Sequence, residues 1–179
     1  MKKKILWITE TAVLLALLIT LQWLTKPLGQ LVTGSCVNAV LAVAALLCGW
    51  SSGLTVALVS PACAYLFGIA PQILTVPVIM VGNAVYVVIL CIVGNQTFWK
   101  RVTGLLGAAL CKFALLYVLV TYGICGILAD TLTAQGLLKP AMLKALPATF
   151  SAPQLVTALV GGTLAMLLVP VLKKALKRT

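Results

Sequence analysis

The sequence predicts an all-α, polytopic membrane protein: a bundle of six transmembrane helices with both termini cytoplasmic. Two observations give the class. Of 179 residues, 63% are hydrophobic and 8% charged, with a mean hydropathy of +1.19, where an ordinary soluble domain carries about 25% charged residues. The apolar runs are also broken at intervals by short clusters of Gly, Pro, Lys and Gln. At about 20 residues per span, the length holds six spans with tight loops and no soluble domain. Residues 1–179 are therefore read as one integral domain of the cell membrane, in contact with lipid throughout.

The first span, residues 5–24, follows Lys2, Lys3 and Lys4. A basic start before an apolar run resembles a signal peptide, but there is no clean small-residue cleavage site and further spans follow, so the segment is expected to be retained. The breaker Thr25, Lys26, Pro27, Leu28, Gly29, Gln30 makes a short hairpin into the second span, residues 31–48. After Gly49, Trp50, Ser51, Ser52 and Gly53 comes the third span, 54–69, and after Ala70, Pro71 and Gln72 the fourth, 73–93. Pro61 and Pro77 lie inside these two, so both are expected to bend near the middle of the bilayer, where neighbouring helices can satisfy the freed carbonyls. The fifth span is 102–124 and the sixth 154–172, separated by the only long connection, 125–153, which carries Asp130, Pro140, Pro147 and Pro153.

The charges orient this scheme, because Lys and Arg crowd cytoplasmic loops. The termini and the loop between spans four and five carry nine basic residues: Lys2, Lys3, Lys4, Lys100, Arg101, Lys173, Lys174, Lys177 and Arg178. The opposite side carries three, Lys26, Lys139 and Lys144. The net charge of +11 is thus a topology signal, not a nucleic-acid patch, and no nucleic-acid partner is expected. Trp7, Trp50 and Trp99 near the cytoplasmic ends and Trp23 near the outer end fit the interfacial preference of indole. The six cysteines are scattered without a CxxC pair and behave as small hydrophobes, so no disulfide framework or metal site follows.

Polar residues inside the spans are few, and each has two readings. Lys112, near the centre of span five, costs at least about 2.5 kcal/mol to place there; it is a binding residue, or an amine satisfied by carbonyls. Asn38 in span two and Asn83 in span four lie about 10 to 15 Å below the outer boundary at 1.5 Å per residue. They converge on one cavity with Lys112, or they are interhelical glue. Gly34 and Gly82 beside them allow close approach by backbone or ligand. Gln30, Thr33, Gln72, Tyr117, Ser151 and Gln154 would ring the mouth of such a cavity. Glu10 lies within two turns of the lysine run, where it can snorkel to the headgroups. Ala12 and Ala16 form a small-xxx-small pair that admits a partner helix, though Ala158 with Gly162 and Gly161 with Ala165 show that such spacing also arises by chance.

Absences narrow the function. With no His and two acids there is no serine or two-aspartate protease site and no set of catalytic metal ligands. There is no GxxxxGK[ST] phosphate loop either, so the chain is not read as an enzyme and no cofactor is expected. A proton-driven pump would place acids or His in its pathway, and only Glu10 could serve. The chain is suited to bind a solute but not to power its movement.

Six spans in under 200 residues, cytoplasmic termini, the alanine motif Thr11-Ala12-Val13-Leu14-Leu15-Ala16 after a basic start, and a long outer loop before the last helix resemble the substrate-binding S components of energy-coupling factor (ECF) transporters. The resemblance covers the whole chain. It implies high-affinity capture of a vitamin or similar micronutrient from outside, a transmembrane T component and two ATPase subunits as partners, and contact of Ala12 and Ala16 with the T component. It fixes no ligand contacts. The nickel and cobalt members carry a His-bearing N-terminal segment that this chain lacks, so a metal substrate is not expected. The residues favour an anionic or neutral polar ligand held by Lys112, Asn38, Asn83, Gln154, Tyr117, Thr33 and Gln72. The alternatives are a self-sufficient proton- or cation-coupled secondary transporter using Glu10, and a non-transporting assembly factor.

Overall fold

The computed structural model describes residues 2–69, 72–93 and 97–177; the side chains of Lys2 and Lys3, the breaker residues Ala70 and Pro71, and Arg178 lie outside the described residues. Among the described residues eight α-helices follow one another: α1 Lys2–Thr25, α2 Gln30–Val43, α3 Trp50–Leu66, α4 Thr75–Val93, α5 Phe98–Val118, α6 Ala129–Ala134, α7 Pro140–Thr149 and α8 Ala152–Ala175. No strand occurs among the described residues. Helix α2 runs on through a wider π-turn, Ala44–Cys48, and α5 through a longer one, Leu119–Ile127. With these extensions α1, α2, α4, α5 and α8 are long and apolar enough to cross a membrane. Helix α3 has 17 residues, about 25 Å at the helical rise, and is the short member against a hydrocarbon core of about 30 Å.

Small residues decide the packing. In a membrane, apolar burial alone does not draw helices together, so close backbone approach has to supply the contact. Helices α2 and α8 make the most extensive pairing. A Cβ on Gly161 would lie 2.5 Å from the Ser35 carbonyl oxygen and 2.6 Å from the Ala39 nitrogen, and one on Gly34 would lie 2.9 Å from Thr157 Cγ2. The pairs Ala158 with Gly162 and Gly161 with Ala165 are thus not chance spacing: all four are buried, and Gly161 is the contact itself. Helix α4 lies between α3 and α5. Gly82 packs against Leu116, so the space it leaves is filled by α5, not by a ligand. The Tyr86 hydroxyl donates to the Ala158 carbonyl at 2.8 Å and ties α4 to α8.

The main core gathers Leu18, Leu41, Val56, Val87, Leu90 and Ala165 from five helices. A second cluster, Leu116, Val120, Ile124, Leu138, Leu146 and Phe150, fastens α7 to the π-wound end of α5.

Three expectations from the sequence need correction. Residues 50–53 are not a connection but the first turn of α3, in which buried Gly53 meets Val87 and Ala45; Gly49, at φ +85°, makes the turn alone. Pro77 falls in the first turn of α4, where its missing N–H costs no helical bond, so it does not bend the helix at mid-membrane; Pro61 does lie inside α3. The stretch 125–153 is largely helical. Cys125 lies within the π-wound segment, which runs on to Ile127, Pro140 opens α7, Pro153 lies in the first turn of α8, and Pro147 sits inside α7.

Candidate ligand-binding site

The side chains of α2, α4, α5 and α8 meet at a buried ammonium group. Lys112 is 2% exposed, on the α5 face that also buries Leu105, Ala108, Ala109 and Leu116. Its Nζ donates to Asn38 Oδ1 at 2.5 Å and to Asn83 Oδ1 at 2.7 Å. It also lies 5.2 Å from the centroid of the Tyr86 ring, within reach of cation–π attraction. The network continues in one direction: Asn38 Nδ2 donates to Thr157 Oγ1 at 3.2 Å, and the Thr157 hydroxyl donates to the Gln154 carbonyl at 3.1 Å. Both asparagines are oriented by the cation, because a flipped amide would set NH₂ against NH₃⁺.

The ammonium faces a cavity of about 360 Å³. Its depth follows from two helical stripes, Gln30, Thr33 and Val37 with Asn38 on α2, and Thr75, Ile79 and Asn83 on α4. Eight residues along either helix are about 12 Å. Gln22 near the end of α1, Lys26 in the turn after it, Gln72 before α4, Thr149 at the end of α7 and Gln154 on α8 complete the polar lining; Met142, Leu146 and Phe150 from α7 and its C-terminal end supply an apolar wall. The Lys26 ammonium is exposed and donates to the Gly68 carbonyl at 2.7 Å. Neither acid of the chain, Glu10 or Asp130, is among the lining residues.

Of the residues the sequence singled out, Lys112, Asn38, Asn83, Gln154, Thr33, Gln72 and Gln30 come together around this cavity. Tyr117 and Ser151 do not line it. Tyr117 packs in a tilted pair with Phe113 and edge-to-face with Tyr122, centroids 6.1 and 6.4 Å away. Five residues from Lys112 is about 140° around a helix, so Tyr117 faces away, whereas Leu116, about 40° away, points inward. The sequence reading missed Gln22 and Thr75 as lining residues, and Tyr86 and Thr157 as members of the network. Gln22 belongs to an ordinary polar helix end, and Tyr86 carries no signal until its ring is seen beside Lys112. Ala12 and Ala16 are exposed on α1, away from the buried stripe Thr11, Leu14 and Leu18. Glu10 is half-buried on the same helix.

Three groups of atoms in the cavity can act on a solute. Lys112 has three N–H donors, of which two are engaged. Asn83 Nδ2 is buried and has no partner among the described residues. Gln22 Oε1 and Gln72 Oε1 are likewise buried and unpartnered. Leaving such atoms desolvated costs about 1–3 kcal/mol each, which an occupying ligand would recover. No nucleophile–base pair is present among the described lining residues.

The family model described as "ECF transporter, substrate-specific component" matches residues 7–173. No curated protein and no solved structure matches the chain significantly.

Proposed function

The chain belongs to the substrate-specific components of ECF transporters, and from that premise we propose that it captures a small anionic or neutral polar nutrient in the Lys112 cavity and delivers it through a T component energised by two ATPase subunits. The observation that carries the ligand chemistry is the buried ammonium of Lys112, hydrogen-bonded only to neutral amides and facing a cavity lined by no carboxylate. A cationic solute there would meet like charge in a medium of low dielectric. An anion offsets the desolvation of Lys112, and a neutral polar molecule can take its remaining N–H. The cavity lies at the lower end of the roughly 300–1,000 Å³ range of small-molecule sites, the right scale for a vitamin-sized compound. Asn38, Gln154, Thr33 and Gln72 orient the solute around the amine.

Native mass spectrometry of the purified protein tests the reading. The wild-type chain is expected to release a retained small molecule, and Lys112→Met, which keeps the stem and removes the charge, is expected to lose it. Truncating one partner of a buried charge pair weakens binding by about 2 kcal/mol or more. Equal retention of the same molecule by Lys112→Met would make the amine purely structural. Co-purification with a T component and ATPases separates this reading from a self-sufficient transporter.

A further inference from the structure

The hydrogen-bond chain has a direction and an open end. From the Gln154 carbonyl it runs through Thr157, Asn38 and Lys112 to Asn83 Oδ1, each donor matched to an acceptor. It stops at Asn83 Nδ2, a buried N–H₂ without a partner among the described residues, on a residue that lines the cavity. Asn83 is 1% exposed and Lys112 is 2% exposed, so two donors, one of them cationic, converge at the floor. Elsewhere in the lining the buried atoms without a partner among the described residues are the amide oxygens of Gln22 and Gln72, which accept. The remaining lining sets Val37, Ile79, Leu146 and Phe150 beside Thr33, Thr75, Thr149 and Gln154.

We infer that the native ligand is an extended monocarboxylic acid of nutrient size. Its carboxylate sits between Lys112 Nζ and Asn83 Nδ2, and its far end carries N–H or O–H groups toward Gln22 and Gln72. The inference rests on the capture function and specifies its substrate class. A planar carboxylate takes parallel N–H donors and carries the single negative charge that one lysine balances. A phosphate dianion would bring a second charge into a site whose one other lining cation, Lys26, is exposed at the mouth and held by Gly68. That second charge would remain uncompensated in a low-dielectric pocket. Asn83 thereby becomes a specificity residue: it holds the cation from one amide atom and reads the ligand from the other.

The experiment uses 3-acetamidopropanoate, 4-acetamidobutanoate and 6-acetamidohexanoate as probes, each beside its own primary amide and the phosphate monoester of the corresponding acetamido alcohol. Saturable thermal stabilisation of the purified full chain is the readout. At least one acid is expected to bind about tenfold or more tightly than its amide and its phosphate, the scale of one buried charge-assisted contact. Asn83→Asp should reverse the order, because its carboxylate takes up the Lys112 charge and repels the acid. Stabilisation of the unliganded variant close to wild type shows that it has folded. A series in which no acid exceeds its amide, or in which a phosphate is preferred, or an Asn83→Asp protein that keeps the preference for acid, overturns the inference. The capture function fails separately, if the chain does not assemble with a T component and ATPases.

Discussion

A methyl group on Gly161 would enter the space of the Ser35 carbonyl oxygen and the Ala39 nitrogen, both backbone atoms of α2. Neither can swing aside, so Gly161→Ala must push α2 from α8 and carry Asn38 away from Thr157. The expected cost is about 1–3 kcal/mol, as for overpacking elsewhere, seen as a lower unfolding temperature in detergent and as weakened retention of the ligand. Gly107→Ala is the matched control: nothing lies within 4 Å of its Cβ position, and alanine is the better helix former, so stability should hold or rise. A Gly161→Ala protein as stable as Gly107→Ala would remove the close-packed seam as the feature that sets the site. Lys112, Asn38 and Asn83 could be read from the sequence because a polar residue inside an apolar run is expensive and therefore conspicuous. Gln22 could not, since a glutamine near a helix end is inexpensive, and its place in the cavity follows only from the path of α1.

Helix α1 turns one face inward and leaves another without a partner in the structure. Thr11, Leu14 and Leu18 are buried, and the Thr11 hydroxyl bonds the Trp7 carbonyl and pairs with the Ser52 hydroxyl at 2.8 Å, fixing α1 on α3. Ala12 and Ala16, one turn apart, are exposed, and their small side chains would let a helix of a T component lie close. Ala16→Trp should abolish co-purification with the T component and ATPases while ligand retention by the isolated chain survives, because neither residue lines the cavity. Normal assembly and transport by this variant would return the pair to ordinary lipid-facing alanine. At this scale the long helices were legible, since an apolar run flanked by breakers has few other solutions in a bilayer. Helix α7 was not: its ten residues carry Pro140 and Pro147, which read as loop until Leu146 and Phe150 are seen packed under the end of α5.

The bundle as a whole has two unlike ends. The cavity is built from the end of α1 and the turn after it, the starts of α2, α4 and α8, α5 at Lys112, the end of α3 with the segment after it, and α7; the basic residues on this side of the chain's path are Lys26, Lys139 and Lys144. At the other end Gly49, Trp50, Ile92 and Lys173 border a shallow recess, and Lys100, Arg101, Lys174 and Lys177 belong to the same side of the chain's path. Basic residues are retained on the cytoplasmic face, so the charge bias predicts an orientation with the cavity mouth outward. Capture from outside by the Lys112 site, as proposed, needs that same orientation. Single-cysteine labelling with a membrane-impermeant maleimide in intact cells checks it. The six native cysteines are unpaired thiols and Cys111 is exposed, so they must first be replaced. Lys139→Cys should react in intact cells, whereas Lys100→Cys and Lys177→Cys should react only after permeabilisation. Labelling of position 100 from outside would mean that the cavity opens to the cytoplasm, and a chain so oriented could not take its ligand from the surroundings, however well Lys112 and Asn83 were arranged to hold it.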